Sequence, residues 1–86
     1  MAKILLVDDV YTARSMTERV LKHVGRYEVI AVGSGEEAIA AATECTPDVI
    51  VLDISMAGMD GLSTLRALRA QGVTTPVVAY SARTER

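Results

Sequence analysis

Aromatic residues and cysteine are scarce in this 86-residue chain, which has three Tyr, one Cys and neither Trp nor Phe. A buried core must therefore be built from aliphatic side chains and alanine. The single cysteine, Cys45, excludes an internal disulfide and suits a reducing compartment.

The sequence also lacks a long apolar run and an excess of positive charge. The first apolar run, residues 4–7, is too short for a signal peptide or a membrane span. A formal net charge of -2 without a basic stripe argues against direct contact with nucleic acid. Hydrophobic residues make up 50% and charged residues 23%, which is typical of a globular protein. We expect one cytoplasmic domain spanning residues 1–86, with no membrane contact.

Apolar segments and helical patterns alternate along the chain. Continuous runs of β-branched residues and Leu are typical of parallel strands covered on both faces. They predict strands over residues 4–7, 27–32, 49–52 and 76–80, with helices over 11–24, 34–45 and 61–70. Because crossovers in such a βαβαβαβ order are right-handed, the pattern predicts a parallel α/β sheet with helices on both faces.

Each helical pattern has an apolar face at spacings of three and four residues. Ser34 and Glu37 have the spacing of a capping box at the start of the second helix. Gly25 and Gly72 end the first and third helices. The apolar positions are Ala13, Met16, Val20, Leu21 and Val24, then Ala38, Ile39, Ala42 and Cys45, then Leu62, Leu65 and Leu68.

Three of the predicted strands run into side chains that can hold a metal or a phosphate. Asp8 and Asp9 follow the first strand, Asp53 ends the third, and Ser81 follows the fourth. An adjacent acidic pair alone is more often a capping feature of the following helix. However, the carboxyl ends of parallel strands share one edge of the sheet, so we expect these side chains to converge.

Carboxylates held this close repel one another and require compensation, which a divalent cation supplies. Mg²⁺ fits a small, open set of oxygen ligands better than a caged Ca²⁺. Zinc is poorly supported, because His23 and Cys45 lie in helical segments away from the acids. A nucleophilic carboxylate beside Mg²⁺ indicates phosphoryl transfer to Asp, giving an aspartyl phosphate.

These motifs resemble the receiver domain of two-component response regulators. The resemblance rests on Val7-Asp8-Asp9, on Leu52-Asp53-Ile54-Ser55-Met56-Ala57-Gly58-Met59-Asp60-Gly61, and on Ser81-Ala82, and it covers the whole chain. It implies the flavodoxin-like, doubly wound fold with strand order 2-1-3-4, for which a member of this family is itself a well-known example. Such a fold places its ligands at the carboxyl ends of its strands.

The resemblance also implies roles for individual residues. Asp53 would accept phosphate from a histidine kinase or phosphotransfer protein. Mg²⁺ would be bound by Asp9, Asp53 and the backbone carbonyl of Ser55, while Asp8 holds a metal-bound water. Ser81 would hydrogen-bond the phosphoryl group and signal its presence to a downstream protein partner. No turnover of an external substrate is expected.

Two departures from the family pattern affect these expectations. Ala57 stands where the family usually has proline, which predicts a less restrained loop. The chain also stops after the start of a polar helix at 82–86, so we expect the fifth βα unit, with its lysine and aromatic switch residue, to be missing. Phosphorylation would then be slow or absent, and the exposed fourth strand would lead to self-association, strand exchange or instability.

Other residues have simpler interpretations. Gly33-Ser34-Gly35 lacks the spacing and lysine of a P-loop and is expected to be a turn with a helix cap. Tyr80 is expected in the core, and Arg83 in a solvated helix start with Arg86. Surface exposure is expected for His23, a small core position for Cys45, and core or loop packing for Met16, Met56 and Met59.

Two alternative functions stay open on the sequence. One is a receiver-like interaction module that is not competent for phosphorylation, which the open sheet edge and missing lysine favour. The other is a Mg²⁺-dependent phosphotransferase or phosphatase. Such an enzyme normally needs a second acid/base carboxylate and a substrate cap, for which 86 residues leave no room.

Overall fold

The computed structural model describes residues 1–56 and 60–81. Ala57, Met59, Arg83 and Arg86, to which the sequence assigned roles, lie outside these ranges. The elements follow one another as predicted, and each of their bounds either agrees with the predicted one or differs from it by one residue. They are β1 (Lys3–Val7), α1 (Tyr11–His23), β2 (Glu28–Val32), α2 (Gly35–Cys45), β3 (Val49–Asp53), α3 (Gly61–Ala70) and β4 (Val77–Tyr80).

The four strands form one parallel sheet in the order β2-β1-β3-β4. This confirms the predicted doubly wound topology, in which β2 is added on one side of β1 and the later strands β3 and β4 on the other. The register pairs Val7 with Leu52 across β1 and β3, and Asp53 with Tyr80 across β3 and β4. The last residues of these strands therefore lie side by side at the carboxyl edge.

One face of the sheet is covered by α2 and α3 and holds the main core. Because side chains alternate along a strand, every second residue of β1 and β3 points toward these helices. The result is an aliphatic and alanine cluster, as the lack of Phe and Trp required. Its buried members are Leu5, Val7, Ala38, Ala41, Ala42, Ile50, Leu52, Met56 and Leu68.

The opposite face is covered by α1, which contacts β1 and β2. Ile4 and Leu6 are buried on this side, yet α1 itself contributes no buried residue. Met16 is 67% exposed, so the prediction that it packs in the core was wrong, and Val20 and Val24 lie on the same exposed stripe. The apolar spacing of α1 predicted the helix correctly but did not predict which of its faces meets the sheet.

Helix α3 begins and ends as predicted, but it buries a different stripe. Gly61, Thr64 and Leu68 are buried, whereas Leu62 is 54% exposed. Steps of three residues rotate by about 300°, so Leu62 and Leu68 lie well apart around the helix. The predicted inward position of Leu62 was therefore wrong, while Leu65 packs against the core cluster as expected.

The start of α3 approaches the backbone after β3 very closely. A Cβ atom added at Gly61 would lie 2.3 Å from the Cα of Ile54 and 2.8 Å from the carbonyl oxygen of Asp53. Only glycine fits this contact without a shift of the main chain. The residue that follows Asp53 and the first residue of α3 are thus in direct backbone contact.

Two helices are capped by side chains. The Ser34 hydroxyl accepts a hydrogen bond from the Glu37 backbone N–H at 3.1 Å, and the Glu37 carboxylate accepts one from the Gly33 N–H at 2.8 Å. This confirms the predicted cap of α2. At α3 the Asp60 carboxylate accepts from the Ser63 N–H at 2.8 Å. That hydrogen bond, followed by one from the Ser63 side chain, lowers the pKa of Asp60.

The remaining side chains with sequence interpretations have mixed outcomes. His23 is exposed and Met56 is buried, as expected, while Cys45 is only half-buried at the end of α2. Among residues 1–56 and 60–81, the structure has no helix with the length and apolar character needed to cross a membrane.

Candidate functional site

Three aspartates converge at the carboxyl edge of the sheet. Asp8 and Asp9 follow β1 and Asp53 ends β3, so the neighbouring strands bring them together. One carboxylate oxygen from each lies within 4.8 Å of the others. Asp8 and Asp53 are buried, and Asp9 is half-buried. The convergence predicted from the strand ends is confirmed.

Both oxygens of the Asp8 carboxylate accept a hydrogen bond. Its Oδ1 atom accepts a hydrogen bond from the backbone N–H of Val10 at 2.9 Å, which forms a tight turn before α1. Its Oδ2 atom accepts one from the phenol of Tyr80. The backbone N–H of Asp8 also donates to the carbonyl of Val32, which extends the β1–β2 ladder by one residue. Asp8 is therefore a fixed part of the sheet edge.

Asp53 is oriented by the residue two positions further on. Both the backbone N–H and the hydroxyl of Ser55 donate to its Oδ1 atom, at 2.9 and 2.7 Å. The sequence assigned only the backbone carbonyl of Ser55 a role, so the hydroxyl contact was missed. An Asp side chain often accepts a hydrogen bond from the residue two positions further on, so the spacing of Asp53 and Ser55 could have indicated this contact. With two donors on one oxygen, the carboxylate has little rotational freedom.

This set of ligands suits a hard divalent cation. Two unit negative charges about 4 to 5 Å apart repel by roughly 3 to 4 kcal/mol at an effective dielectric near 20. The described donors are carboxylate oxygens from neighbouring strands, a set typical of magnesium sites that retain water. Neither His23 nor Cys45 joins the cluster. The residues therefore fit Mg²⁺ and not a zinc site.

A comparison with known protein families identifies the kind of domain that carries these acids. Residues 4–86 match the family described as the response regulator receiver domain. The chain belongs to that family. Its parallel sheet with strand order 2-1-3-4 is the architecture of the matched structures, so the predicted resemblance and fold are confirmed.

Named relatives agree with this assignment. The receiver domain is 42% identical to the nitrate/nitrite response regulator protein homolog of Haemophilus influenzae over 88% of this chain and 37% of that protein. It is 37% identical to chemotaxis protein CheY4 of Vibrio cholerae, with a TM-score of 0.88 over 99% of this chain and 72% of that chain.

A third relative comes from a complex. A chain in the crystal structure of histidine kinase ThkA with response regulator protein TrrA is 29% identical to the receiver domain, with a TM-score of 0.85 over 99% of this chain and 72% of that chain. The sequence spans about a quarter to a third of the length of several curated relatives.

Tyr80 is the residue of the receiver domain site that the sequence interpretation missed. Instead of lying wholly in the core, it is half-buried and its phenol reaches across β3 to donate to Asp8. Burial, followed by this hydrogen bond and by the charges of Asp8, Asp53 and Asp9, raises the pKa of the phenol. Tyr80 pairs with Asp53 and so points to the same face, but this register is seen in the structure and is not specified by the sequence pattern.

Arg14 in α1 hydrogen-bonds to the backbone of the site. Its Nη1 atom donates to the backbone carbonyl of Asp8 at 2.8 Å, and its guanidinium lies 5.5 Å from the ring centre of Tyr11. A Cβ atom added at Gly33 would lie 2.9 Å from the same Nη1 atom. Glycine therefore leaves room for the arginine between the loops that follow β1 and β2.

Ser81 immediately follows β4 and is exposed at the same edge of the sheet. Since Tyr80 pairs with Asp53, Ser81 continues the strand past the end of β3. The sequence placed Asp8, Asp9, Asp53, Ser55 and Ser81 at this edge, and all five lie there. Their individual roles stay predictions.

Proposed function

We propose that this receiver domain is a phosphoacceptor and that Asp53 is the residue that receives the phosphoryl group. The observation that carries the proposal is the meeting of Asp53 with Asp8 and Asp9 within 4.8 Å at the carboxyl edge. Asp53 is 1% exposed and is held by two donors on Oδ1. A fixed carboxylate beside a cation site is suited to in-line attack on a phosphorus atom.

Asp8, Asp9, Asp53 and the backbone carbonyl of Ser55 would hold Mg²⁺. When bound, the cation supplies positive charge that offsets the carboxylates and the developing charge on phosphoryl oxygens. The hydrogen bonds from Val10 to Asp8 and from Ser55 to Asp53 keep these side chains in place before a cation arrives. Such preorganisation lowers the cost of ordering the ligands on binding.

Ser81 would report the modification. Its position after β4, beside the pair formed by Asp53 and Tyr80, suits a hydroxyl that donates to a phosphoryl oxygen on Asp53. Such a hydrogen bond would draw the segment after β4 toward the acidic edge and change the surface offered to a downstream protein. The switch is therefore one contact formed or lost by a single hydroxyl.

The phosphate donor would be a histidine kinase or a phosphotransfer protein in the cytoplasm. The relative found in a complex of a histidine kinase with a response regulator supports this choice. The domain, which we treat as a single unit, would carry out its own phosphorylation and dephosphorylation and would turn over no external substrate. No direct nucleic-acid contact is proposed, in keeping with the net charge of -2.

The test is modification by acetyl phosphate with Mg²⁺, followed by intact mass. We expect the wild-type chain to gain one phosphoryl group, slowly and only with Mg²⁺, and the Asp53→Asn variant to gain none. The matched control is Asp48→Asn, which removes an exposed acid outside the cluster. Equal modification of the Asp53→Asn variant, or none of the wild type with either acetyl phosphate or beryllofluoride, would contradict the proposal. Continuous release of phosphate from a small substrate would favour the enzyme alternative.

We also propose that the chain self-associates through β4. Within residues 1–56 and 60–81, β4 pairs with β3 on one side and has no strand on the other. Val78 on this strand is 57% exposed, and an unpaired edge beside apolar side chains favours pairing with another chain. Sedimentation velocity should show a dimer that Val78→Lys weakens, whereas Val20→Lys on α1 leaves it unchanged. Equal sedimentation of all three proteins as monomers would refute this.

A further inference from the structure

The hydrogen bond between Tyr80 and Asp8 joins the fourth strand to the first across the whole acidic edge. The two residues are 72 positions apart in sequence, and β3 lies between their strands. We propose that Tyr80 is a metal-sensitive latch: its phenol occupies Asp8 in the metal-free domain and is released when a divalent cation takes that oxygen. This inference rests on the proposed cation site.

The geometry leaves one oxygen of Asp8 for the phenol and the cation to share. Asp8 is completely buried, and its Oδ1 atom is already occupied by the Val10 N–H. The Oδ2 atom accepts from Tyr80, and one carboxylate oxygen of Asp8 lies within 4.8 Å of an oxygen from each of the other two acids. A cation that draws on Asp8, directly or through a bound water, therefore meets the phenol at the same atom.

The charges explain why the latch closes in the absence of a cation. Three carboxylates within 4.8 Å repel one another, and a donated phenol proton partly offsets this. A hydrogen bond to an ionised acceptor is stronger than one between neutral groups. The phenol is a neutral donor, so it offers its proton to the charged carboxylate without adding a further negative charge to the cluster. A divalent cation compensates the same charge more fully and leaves the phenol with less to stabilise.

Release of the phenol would have an effect beyond the acids. Tyr80 is the last residue of β4, its carbonyl accepts from the Ile54 N–H at 2.8 Å, and Ser81 comes next. The side chain holds the end of β4 toward β1 in the closed state. Loading the site would therefore free the strand end that carries Ser81, which makes cation binding a condition for the later movement of that hydroxyl.

Removal of the Tyr80 hydroxyl should change the affinity of the domain for Mg²⁺. Because Tyr80 stabilises only the metal-free pocket, Tyr80→Phe should tighten Mg²⁺ binding by roughly threefold to tenfold. Isothermal titration with Mg²⁺, repeated with Mn²⁺ by electron paramagnetic resonance, measures this. Tyr27→Phe is the matched control, since Tyr27 lies before β2 at the opposite, amino-terminal edge of the sheet and should leave the affinity unchanged.

A second measurement needs no variant and so does not depend on folding of Tyr80→Phe. In the wild type with ring-labelled tyrosine, the ¹³Cζ resonance of Tyr80 should shift on Mg²⁺ addition, while those of Tyr11 and Tyr27 stay in place. Replacing Asp8 by Asn should shift the Tyr80 resonance without any metal. These signals report the phenol hydrogen bond itself and not the stability of the fold.

The outcomes separate this inference from the proposed function. If the wild type binds Mg²⁺ but Tyr80→Phe has the same or weaker affinity and the Tyr80 resonance does not move, the latch is refuted and the cation site stands. If the wild type binds neither Mg²⁺ nor Mn²⁺, the cation site fails and the latch with it. Tighter binding in Tyr80→Phe together with the resonance shift supports both.

Discussion

The two faces of the sheet differ in what their alternating residues do as each strand approaches its carboxyl end. On the side of α2 and α3, the sequence of β1 and β3 stays aliphatic to the end, with Val7 and Leu52 in the buried cluster. On the side of α1, Leu6 is followed by Asp8 and Val51 by Asp53. On the first face the strand residues are aliphatic to the end of the strand. On the second face they change from aliphatic to acidic within two residues.

The helices reflect the same division. α2 buries four residues and α3 three, and both begin with side-chain caps, whereas α1 buries none and begins after Val10 without a side-chain cap. The firmly packed face holds the strand ends in register, while the acids lie at the carboxyl edge on the side of α1, where Asp8 and Asp53 are buried and Asp9 is half-buried. The comparison indicates that stability and function are separated by the plane of the sheet.

The largest expected effect tests this separation directly. Leu68→Ala, on the packed face, should lower the free energy of unfolding by about 3 kcal/mol because it leaves a cavity in the cluster. Val20→Ala, on the exposed stripe of α1, should change it by less than about 0.5 kcal/mol. Urea unfolding followed by circular dichroism measures both. Similar losses for the two variants would mean that the faces are equally important for stability.

The next effect concerns the acidic side of the sheet. If Mg²⁺ binds with a dissociation constant of about 1 mM, 10 mM Mg²⁺ should stabilise the wild type by roughly 1.4 kcal/mol. The Asp53→Asn variant should be more stable than the wild type without metal, since a repulsive charge is gone, and should gain less from Mg²⁺. Thermal unfolding with and without EDTA reports both changes. A metal response unchanged by Asp53→Asn would place the cation elsewhere.

A smaller effect is expected at the cap of α2. Ser34→Ala removes the acceptor for the Glu37 N–H and should cost about 1 kcal/mol. Ser34→Asn keeps an acceptor at the same position and serves as the control. Because Ser34 is not a member of the acidic cluster, the Mg²⁺ affinity of both variants should match that of the wild type. A loss of affinity that accompanies the loss of stability would show that the faces are coupled.

The smallest effect is the pH dependence of the cap of α3. The pKa of Asp60 is lowered by its bond from the Ser63 N–H, so its carboxylate stabilises the folded state above the unfolded value of 3.8. This contribution is lost as the pH falls through the lower folded pKa. Asp60→Asn caps the helix without titrating, so its stability should fall less steeply below pH 4. Parallel pH profiles of the two proteins would contradict this assignment.

The convergence of the acids could be predicted because it follows from topology alone. Neighbouring parallel strands end at one edge, so the position of Asp8 and Asp53 at strand ends was sufficient. The orientation of α1 could not be predicted. Met16 and Val20 have the spacing of a buried apolar stripe, yet this stripe faces away from the sheet. The Tyr80 contact depends on register across three strands and on a side-chain rotamer, neither of which a linear pattern specifies.

The absence of a side chain at Gly61 has a mechanical consequence for any signal that begins at Asp53. Where main chain touches main chain, there is no flexible side chain to absorb a displacement, so motion at Ile54 passes directly to the first turn of α3. Helix α3 and the strand that ends at Asp53 are therefore expected to move together. Any other residue type at position 61 would place a Cβ atom in this contact and push the two backbones apart.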